Sequence, residues 1–361
     1  MQKGTQVPPK GDNETSDQDA NVPADGVPLT KKPITKLVIT FYDKARCTQK
    51  TAEDGLQRSL ESPTRSFASV FAEIAPTYEK QSYQSLAPGI SQAIYITSDS
   101  QLLHFASLRH TSPITNFEAK HNVELIFDQF PILPQSTSPR PLKIALFDMD
   151  STLINEEVID ELARSIGVSD AVSAITARAM NGDIDFATSL KERVGMLKGV
   201  PTTVWQDLQK TVTIATGARE LIAGLNRKGV YTAVASGGFT PMAEWLKGEL
   251  GLDLAVANHL LEAAPTEEFP YAHLSGQLDP AFPIVTPQLK QDTLLALAAK
   301  QGAAMHETLA VGDGSNDLLM LGTAGLGIAW KAKAKVQVKA PMRLNGESLR
   351  DLLYLFGSEE A

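Results

Sequence analysis

Two carboxylates one residue apart, Asp148 and Asp150, follow directly on the apolar run Ile144-Ala145-Leu146-Phe147. Acidic groups this close repel each other unless a cation lies between them or one of them holds a proton. The pair therefore offers a divalent-metal site, an acid/base pair, or both. Asp, Ser and Thr are also ordinary turn residues, so a strand ending in a solvated acidic turn is the alternative for Asp148-Met149-Asp150-Ser151-Thr152 taken alone.

Three other stretches carry complementary groups. Ser236-Gly237-Gly238-Phe239-Thr240 joins a hydroxyl and two glycines to a helix start, where unpaired N–H groups and the helix dipole favour an anion. A plain strand-to-helix turn uses the same glycines. Lys290 falls in the first turn of a helix expected from about Pro287 to Lys300, an unfavourable place for a cation unless it faces an anion. Gly312-Asp313-Gly314-Ser315-Asn316-Asp317 again puts carboxylates after an apolar run. Magnesium prefers oxygen ligands, and Asp148, Asp150 and Asp313 suit it without any histidine. A carboxylate can attack phosphorus once the repulsion between the two anions is neutralised, so the set reads as phosphoryl transfer.

Short apolar runs bounded by polar residues are the elements that must hold these groups, and they predict buried strands of a doubly wound α/β fold with a parallel sheet. Side chains alternate along a strand, which predicts Asp148 and Asp150 on one side of its carboxyl end, where open α/β sheets bind ligands. Beyond Thr152 the pattern turns helical. Val158, Ile159, Leu162, Ala163 and Ile166 form one stripe, a second helix covers about Ser169 to Met180, and a third runs from about Asp185 to Lys198. Phe186, Leu190, Arg193 and Leu197 share a face of the third. Arg193 there either snorkels over an apolar edge or points from a lid into an enclosed space, and spacing alone leaves both open. Strands follow at Val230 to Ala235, Thr308 to Val311 and Leu326 to Ala329, with a hairpin-bearing segment from about Leu252 to Val285 and a terminal helix from Ser348 to Phe356.

With 361 residues and 43% hydrophobic content, the chain has material for about two domains. A net charge of −9 disfavours nucleic acid and anionic membrane surfaces as partners. No apolar stretch approaches the roughly 18 to 20 residues of a membrane span. The single cysteine, Cys47, excludes an intramolecular disulfide and a Cys-based zinc cluster. Residues 1–33 are expected to be a disordered tail without a secretory signal, and the location cytoplasmic. Residues 34–130 are expected to form a small α+β domain, a candidate regulatory unit, in which His104, His110 and His121 lack metal-ligand spacing. Residues 131–141 read as a Pro-rich linker, and 142–361 as the catalytic domain with a helical cap at about 155–225.

Taken in order, Asp148-Met149-Asp150-Ser151-Thr152, Ser236, Lys290 and Gly312 to Asp317 match the motifs of the haloacid dehalogenase superfamily, which the chain resembles. Over about Lys143 to Gly357 it more closely resembles the phosphoserine phosphatase family. Glu157, Arg178-Ala179-Met180-Asn181-Gly182, Phe186, Ser189-Leu190, Arg193-Val194 and Ser236 to Phe239 carry that likeness. The resemblance implies a HAD-like Rossmannoid core with a helical cap inserted after the first core strand. It further implies a magnesium-dependent phosphomonoesterase that hydrolyses O-phospho-L-serine through an aspartyl-phosphate, the final step of L-serine biosynthesis.

Residue by residue, the same resemblance makes Asp148 the nucleophile and Asp150 the general acid/base. It assigns magnesium to the Asp148 carboxylate, the Asp150 backbone carbonyl and Asp313, with Asp317 supporting the metal. Ser236, the Gly237 N–H and Lys290 would bind the phosphoryl oxygens, with Asn316 beside the substrate. Glu157 would meet its ammonium and Arg193 its carboxylate, and Met180 and Phe186 would close over them. A homodimer is an expectation at the level of the family. Thr216-Gly217 and Val285-Thr286-Pro287 depart from the family pattern, the second lacking an aspartate that many members carry just before the lysine helix. Transfer to an acceptor other than water, and a sensor without turnover, are the alternative readings.

Overall fold

The computed structural model describes residues 34–44, 61–87, 89–97, 105–132, 140–181 and 183–357. The expected tail, Cys47, His104, Gly182 and most of the Pro-rich linker lie outside the described residues.

Residues 142–357 are built on a six-stranded parallel sheet. Its strands are β5 (Ile144–Phe147), β6 (Tyr231–Phe239), β7 (Leu254–Asn258), β10 (Thr308–Gly312), β11 (Leu326–Trp330) and β12 (Met342–Leu344), in the order β12-β11-β10-β5-β6-β7. All four β5 side chains are buried, as expected for a central strand covered on both faces. Each large apolar side chain so buried contributes about 1.5–3 kcal/mol relative to exposure. Phe147 pairs with Val311 on one side and Val234 on the other. Later strands are thus laid down to both sides of β5, and the carboxyl ends of β5, β6 and β10 meet where the strand order reverses.

Between β5 and the helix Ala218–Arg227 that precedes β6, the chain forms the helices Val158–Ser165, Ser169–Asn181, Phe186–Gly195 and Val204–Thr211. Asp185 starts the third by accepting from the Thr188 N–H at 2.8 Å. The cap so formed is fastened to the antiparallel pair β8 (Leu260–Ala263) and β9 (His273–Leu278). Gly199 N–H donates to Leu274 O at 2.9 Å, and Leu274 N–H to Val200 O at 2.8 Å.

The N-terminal region is a four-stranded antiparallel sheet of β1 (Ile34–Asp43), β2 (Glu79–Ala87), β3 (Ile90–Thr97) and β4 (Val123–Ile132), in the order β2-β3-β1-β4. The helices Glu61–Ile74 and Ser112–His121 bring Phe67 and Phe117 onto Phe41 of β1, at ring-centroid separations of 5.4 and 6.4 Å. The sheet and the helix Ser112–His121 are tied to the parallel-sheet region by largely buried polar contacts. Arg140 pairs with Asp128 and donates to Thr308 O at 3.3 Å, and Arg343 meets Glu118 at 2.6 Å.

Several elements differ from expectation. β2 is polar and largely exposed, so it carries no apolar alternation to announce it. β7, expected within a hairpin segment, is the edge strand of the parallel sheet. The terminal helix is a 3₁₀ helix, Leu349–Phe356, ended by Gly357 at φ 67°.

Candidate active site

Asp148 stands one residue past β5, its N–H donating to Val311 O at 2.9 Å, and only 4% of the residue is exposed. The alternation argument for Asp150 does not hold, because the strand ends at Phe147 and the chain turns. The N–H groups of Thr152, Leu153 and Ile154 all donate to Met149 O, at 3.2, 2.9 and 3.0 Å, and Ser151 takes the left-handed φ of 55°. A tight turn, not strand pleating, aims Asp150. Its Oδ1 is buried without a hydrogen-bond partner, and its Oδ2 borders Gly238, 3.0 Å from where a Cβ would stand. Gly238 is therefore needed for close approach.

Lys290 projects from the helix Pro287–Lys300 into the same space. The residue is fully buried, and its Nζ lies 2.7 Å from both Asp148 Oδ1 and Asp317 Oδ1. A lysine in the first helical turn is thus explained by the carboxylates it faces. Thr286, before this helix, caps it through Oγ1, which accepts from Leu289 N–H at 3.2 Å. Asp317 also accepts from Gly314 N–H at 2.9 Å, and Asp313 accepts from Thr152 Oγ1 at 3.2 Å.

Carboxylate oxygens of Asp148, Asp313 and Asp317 lie within 4.8 Å of one another. Burial first, and then the neighbouring Asp148 and Glu157, push Asp313 up to about 7. Asp317 is raised by burial and Asp148, and Asp150 by burial, Glu157 and Asp148. Burial would lower Lys290, but Asp148 and Asp317 outweigh it and hold the ammonium protonated. One lysine cannot neutralise so many acids. The donor set, hard oxygens crowded until some of them retain protons, fits a divalent cation.

Ser236 is buried in the carboxyl-terminal half of β6, and its Oγ accepts from Gly238 N–H at 2.8 Å. Gly237 is overhung by the cap: a Cβ there would stand 3.4 Å from Phe186 Cζ and 4.0 Å from Asn316 Nδ2. The cap also brings two charges of opposite sign. Glu157 accepts from Ser151 Oγ at 2.8 Å and is raised by burial, Asp148 and Asp160. Arg193 is lowered by burial, is attracted by Asp160, Glu157 and Asp150, and donates from Nε to Ser189 O at 3.3 Å. Among the described residues no carboxylate lies within ion-pair distance of it. Met180 lies in the helix Ser169–Asn181, and its side chain is outside the described residues.

Residues 142–325 match the family model of haloacid dehalogenase-like hydrolases. The chain belongs to that family. It is 45% identical over 228 residues to a probable phosphoserine phosphatase of Schizosaccharomyces pombe, covering 63% of this chain and 74% of the relative. A HAD family hydrolase of Salmonella enterica serovar Typhi superposes with a TM-score of 0.64 at 30% identity, covering 90% of this chain and 99% of the other. A phospho-aspartyl intermediate analogue of phosphoserine phosphatase superposes with a TM-score of 0.53 at 38% identity, covering 59% of this chain and 98% of the other.

Two site residues of this hydrolase escaped the sequence reading. Thr152 closes the Asp148–Thr152 motif but was given no role, yet its hydroxyl donates to Asp313. Asn258 closes the run Leu254 to Ala257, and a lone asparagine at the end of a weak strand gives no chemical signal. No helix among the described residues is long and apolar enough to cross a membrane.

Proposed function

We propose that this hydrolase converts O-phospho-L-serine and water to L-serine and phosphate, the final step of L-serine biosynthesis. The observation that carries the reading is the placing of Glu157 and Arg193, one charge of each sign, in the cap over the Asp148 site. A zwitterionic head group satisfies both, whereas a phosphoester lacking one leaves a cap charge without its partner.

Asp148 Oδ attacks phosphorus, forming an aspartyl-phosphate as the bond to the serine oxygen breaks. Asp150, kept protonated by burial and its acidic neighbours, gives its proton to that oxygen. Ionised Asp150 then takes a proton from the water that attacks the aspartyl-phosphate, and phosphate leaves. Ser236, the Gly237 N–H and Lys290 bear on the phosphoryl oxygens, with Asn316 beside them. Phe186 excludes water from above. Asp148 and Asp313, with the Asp150 carbonyl and support from Asp317, would hold magnesium. Bound there, magnesium supplies positive charge that offsets repulsion between nucleophile and phosphate.

Phosphate release from phosphoserine, phosphothreonine and an uncharged phosphomonoester tests the reading, using wild type, Asp148→Asn and Arg193→Ala in magnesium. Wild type should prefer phosphoserine, Asp148→Asn should be inactive, and Arg193→Ala should lose the preference. Equal hydrolysis of all three by wild type would sink the substrate assignment.

A further inference from the structure

Asn258 is 1% exposed, and its side-chain amide is used at both ends. Nδ2 donates to Gly237 O at 2.8 Å, and Oδ1 accepts from Val285 N–H at 2.9 Å. These partners belong to different parts of the site. Gly237 lies in the irregular carboxyl-terminal part of β6, and Val285 immediately precedes Thr286, the cap of the helix that carries Lys290.

The strand pairing shows why such a link is needed. β6 and β7 are in register at Ala235 and Val256, and again at Phe239 and Asn258, so four steps along β6 are matched by two along β7. Ser236, Gly237 and Gly238 therefore bulge out of the ladder, which frees their backbone to face the site but removes the hydrogen bonds that would fix it. The peptide joining Gly237 to Gly238 is instead held at both edges. Its carbonyl accepts from Asn258, and its N–H donates to Ser236 Oγ at 2.8 Å.

We infer that Asn258 is a positioning residue: it locks the Ser236–Gly238 bulge to the start of the lysine helix, so that the loop and Lys290 meet a phosphoryl group as one rigid unit. Asn258 touches no reacting atom. An amide is the side chain that fits, since one atom must donate to a carbonyl and the other accept from an N–H. Aspartate keeps the acceptor but sets a carboxylate oxygen against Gly237 O, and alanine removes both bonds.

The inference rests on the phosphatase reading for its kinetic arm only. Wild type, Asn258→Asp and Asn258→Ala, as full chains in magnesium, are titrated with inorganic phosphate by calorimetry and assayed with phosphoserine and an uncharged phosphomonoester. Both variants should bind phosphate about tenfold more weakly, the equivalent of about 1.4 kcal/mol. Their kcat should fall at least as far, and the preference for phosphoserine should stay at the wild-type ratio because Glu157 and Arg193 are untouched. Wild-type phosphate affinity and kcat in a folded variant, with only the urea midpoint lowered, would show a purely structural role and overturn the inference. If neither variant folds, amide exchange at Val285 in wild type decides: phosphate should slow it, and unchanged exchange overturns the proposal. A wild type that binds phosphate but spares phosphoserine removes the substrate reading and leaves the positioning role testable by affinity.

Discussion

Lys290 Nζ lies 2.7 Å from Asp148 Oδ1, with no part of the lysine exposed. A buried ammonium beside the Asp148 carboxylate offsets its charge, and the second contact, to Asp317, prevents the lysine from swinging away. Lys290→Met leaves two buried acids facing each other. Breaking a buried pair costs about 3–5 kcal/mol, so metal-free protein at pH 8 should lose that much stability in urea unfolding. The loss should shrink at pH 5, where the carboxyls neutralise themselves by binding protons. An equal loss at both pH values would contradict this account.

Asp150→Asn keeps the shape of the turn but has no proton to give. Positioned general acid–base catalysis is worth about 10²–10⁴-fold, and kcat for phosphoserine should drop within that range. Formation of the aspartyl-phosphate from an ester with a good leaving group, which needs no proton, should be spared. Rapid-quench measurement of the first turnover with such an ester checks this, and an equal loss for both esters would remove Asp150 from the acid role.

The crowding of acids makes the metal-free protein sensitive to pH with a definite sign. Asp313 is held at about 7 against an ordinary 3.8, so between those values the folded chain binds more protons than the unfolded one. Stability should therefore fall as pH rises from about 4 to 7, and Asp150, Asp317 and Glu157, all raised, act in the same direction. Lys290 is also raised, but its contribution is complete below its ordinary 10.5 and stays constant across this window. Magnesium binds the ionised carboxylates and should flatten the profile while releasing protons. Thermal midpoints from pH 4 to 9, in chelator and in magnesium, measure both effects. A flat profile in chelator would show that the acids are not crowded as described.

The parts of the site legible from sequence were those where a chemical group ends an apolar run. Ile144 to Phe147 and Thr308 to Gly312 are continuous buried strands, so Asp148 and Asp313 follow almost directly from hydrophobic pattern. Lys290 was legible because its position opposes the helix dipole. Asp150 was placed by the wrong argument, since a turn centred on Met149 O, and not pleating, sets its direction. Asn258 was invisible because its role lies in two tertiary hydrogen bonds that no local pattern encodes. β2 was missed for a related reason: an exposed strand need not alternate, and its register comes from β3.

Gly199 lies where the cap meets the β8–β9 pair, at φ 86°, and a Cβ there would run into the Phe269 ring. Gly199→Ala thus adds a strained backbone, about 1–3 kcal/mol, to a collision that pushes the cap off its hydrogen bonds with Leu274. The cap carries Arg193, while Asp148 and the Ser236–Gly238 stretch belong to the core. An opened cap should cost phosphoserine about tenfold in kcat/KM, about 1.4 kcal/mol, and cost an uncharged phosphomonoester much less. Adding Phe269→Ala removes the collision but not the strained φ, so the double variant should recover part of the loss. If both substrates suffer alike, or the second substitution restores nothing, the fastening of cap to hairpin does not govern substrate choice.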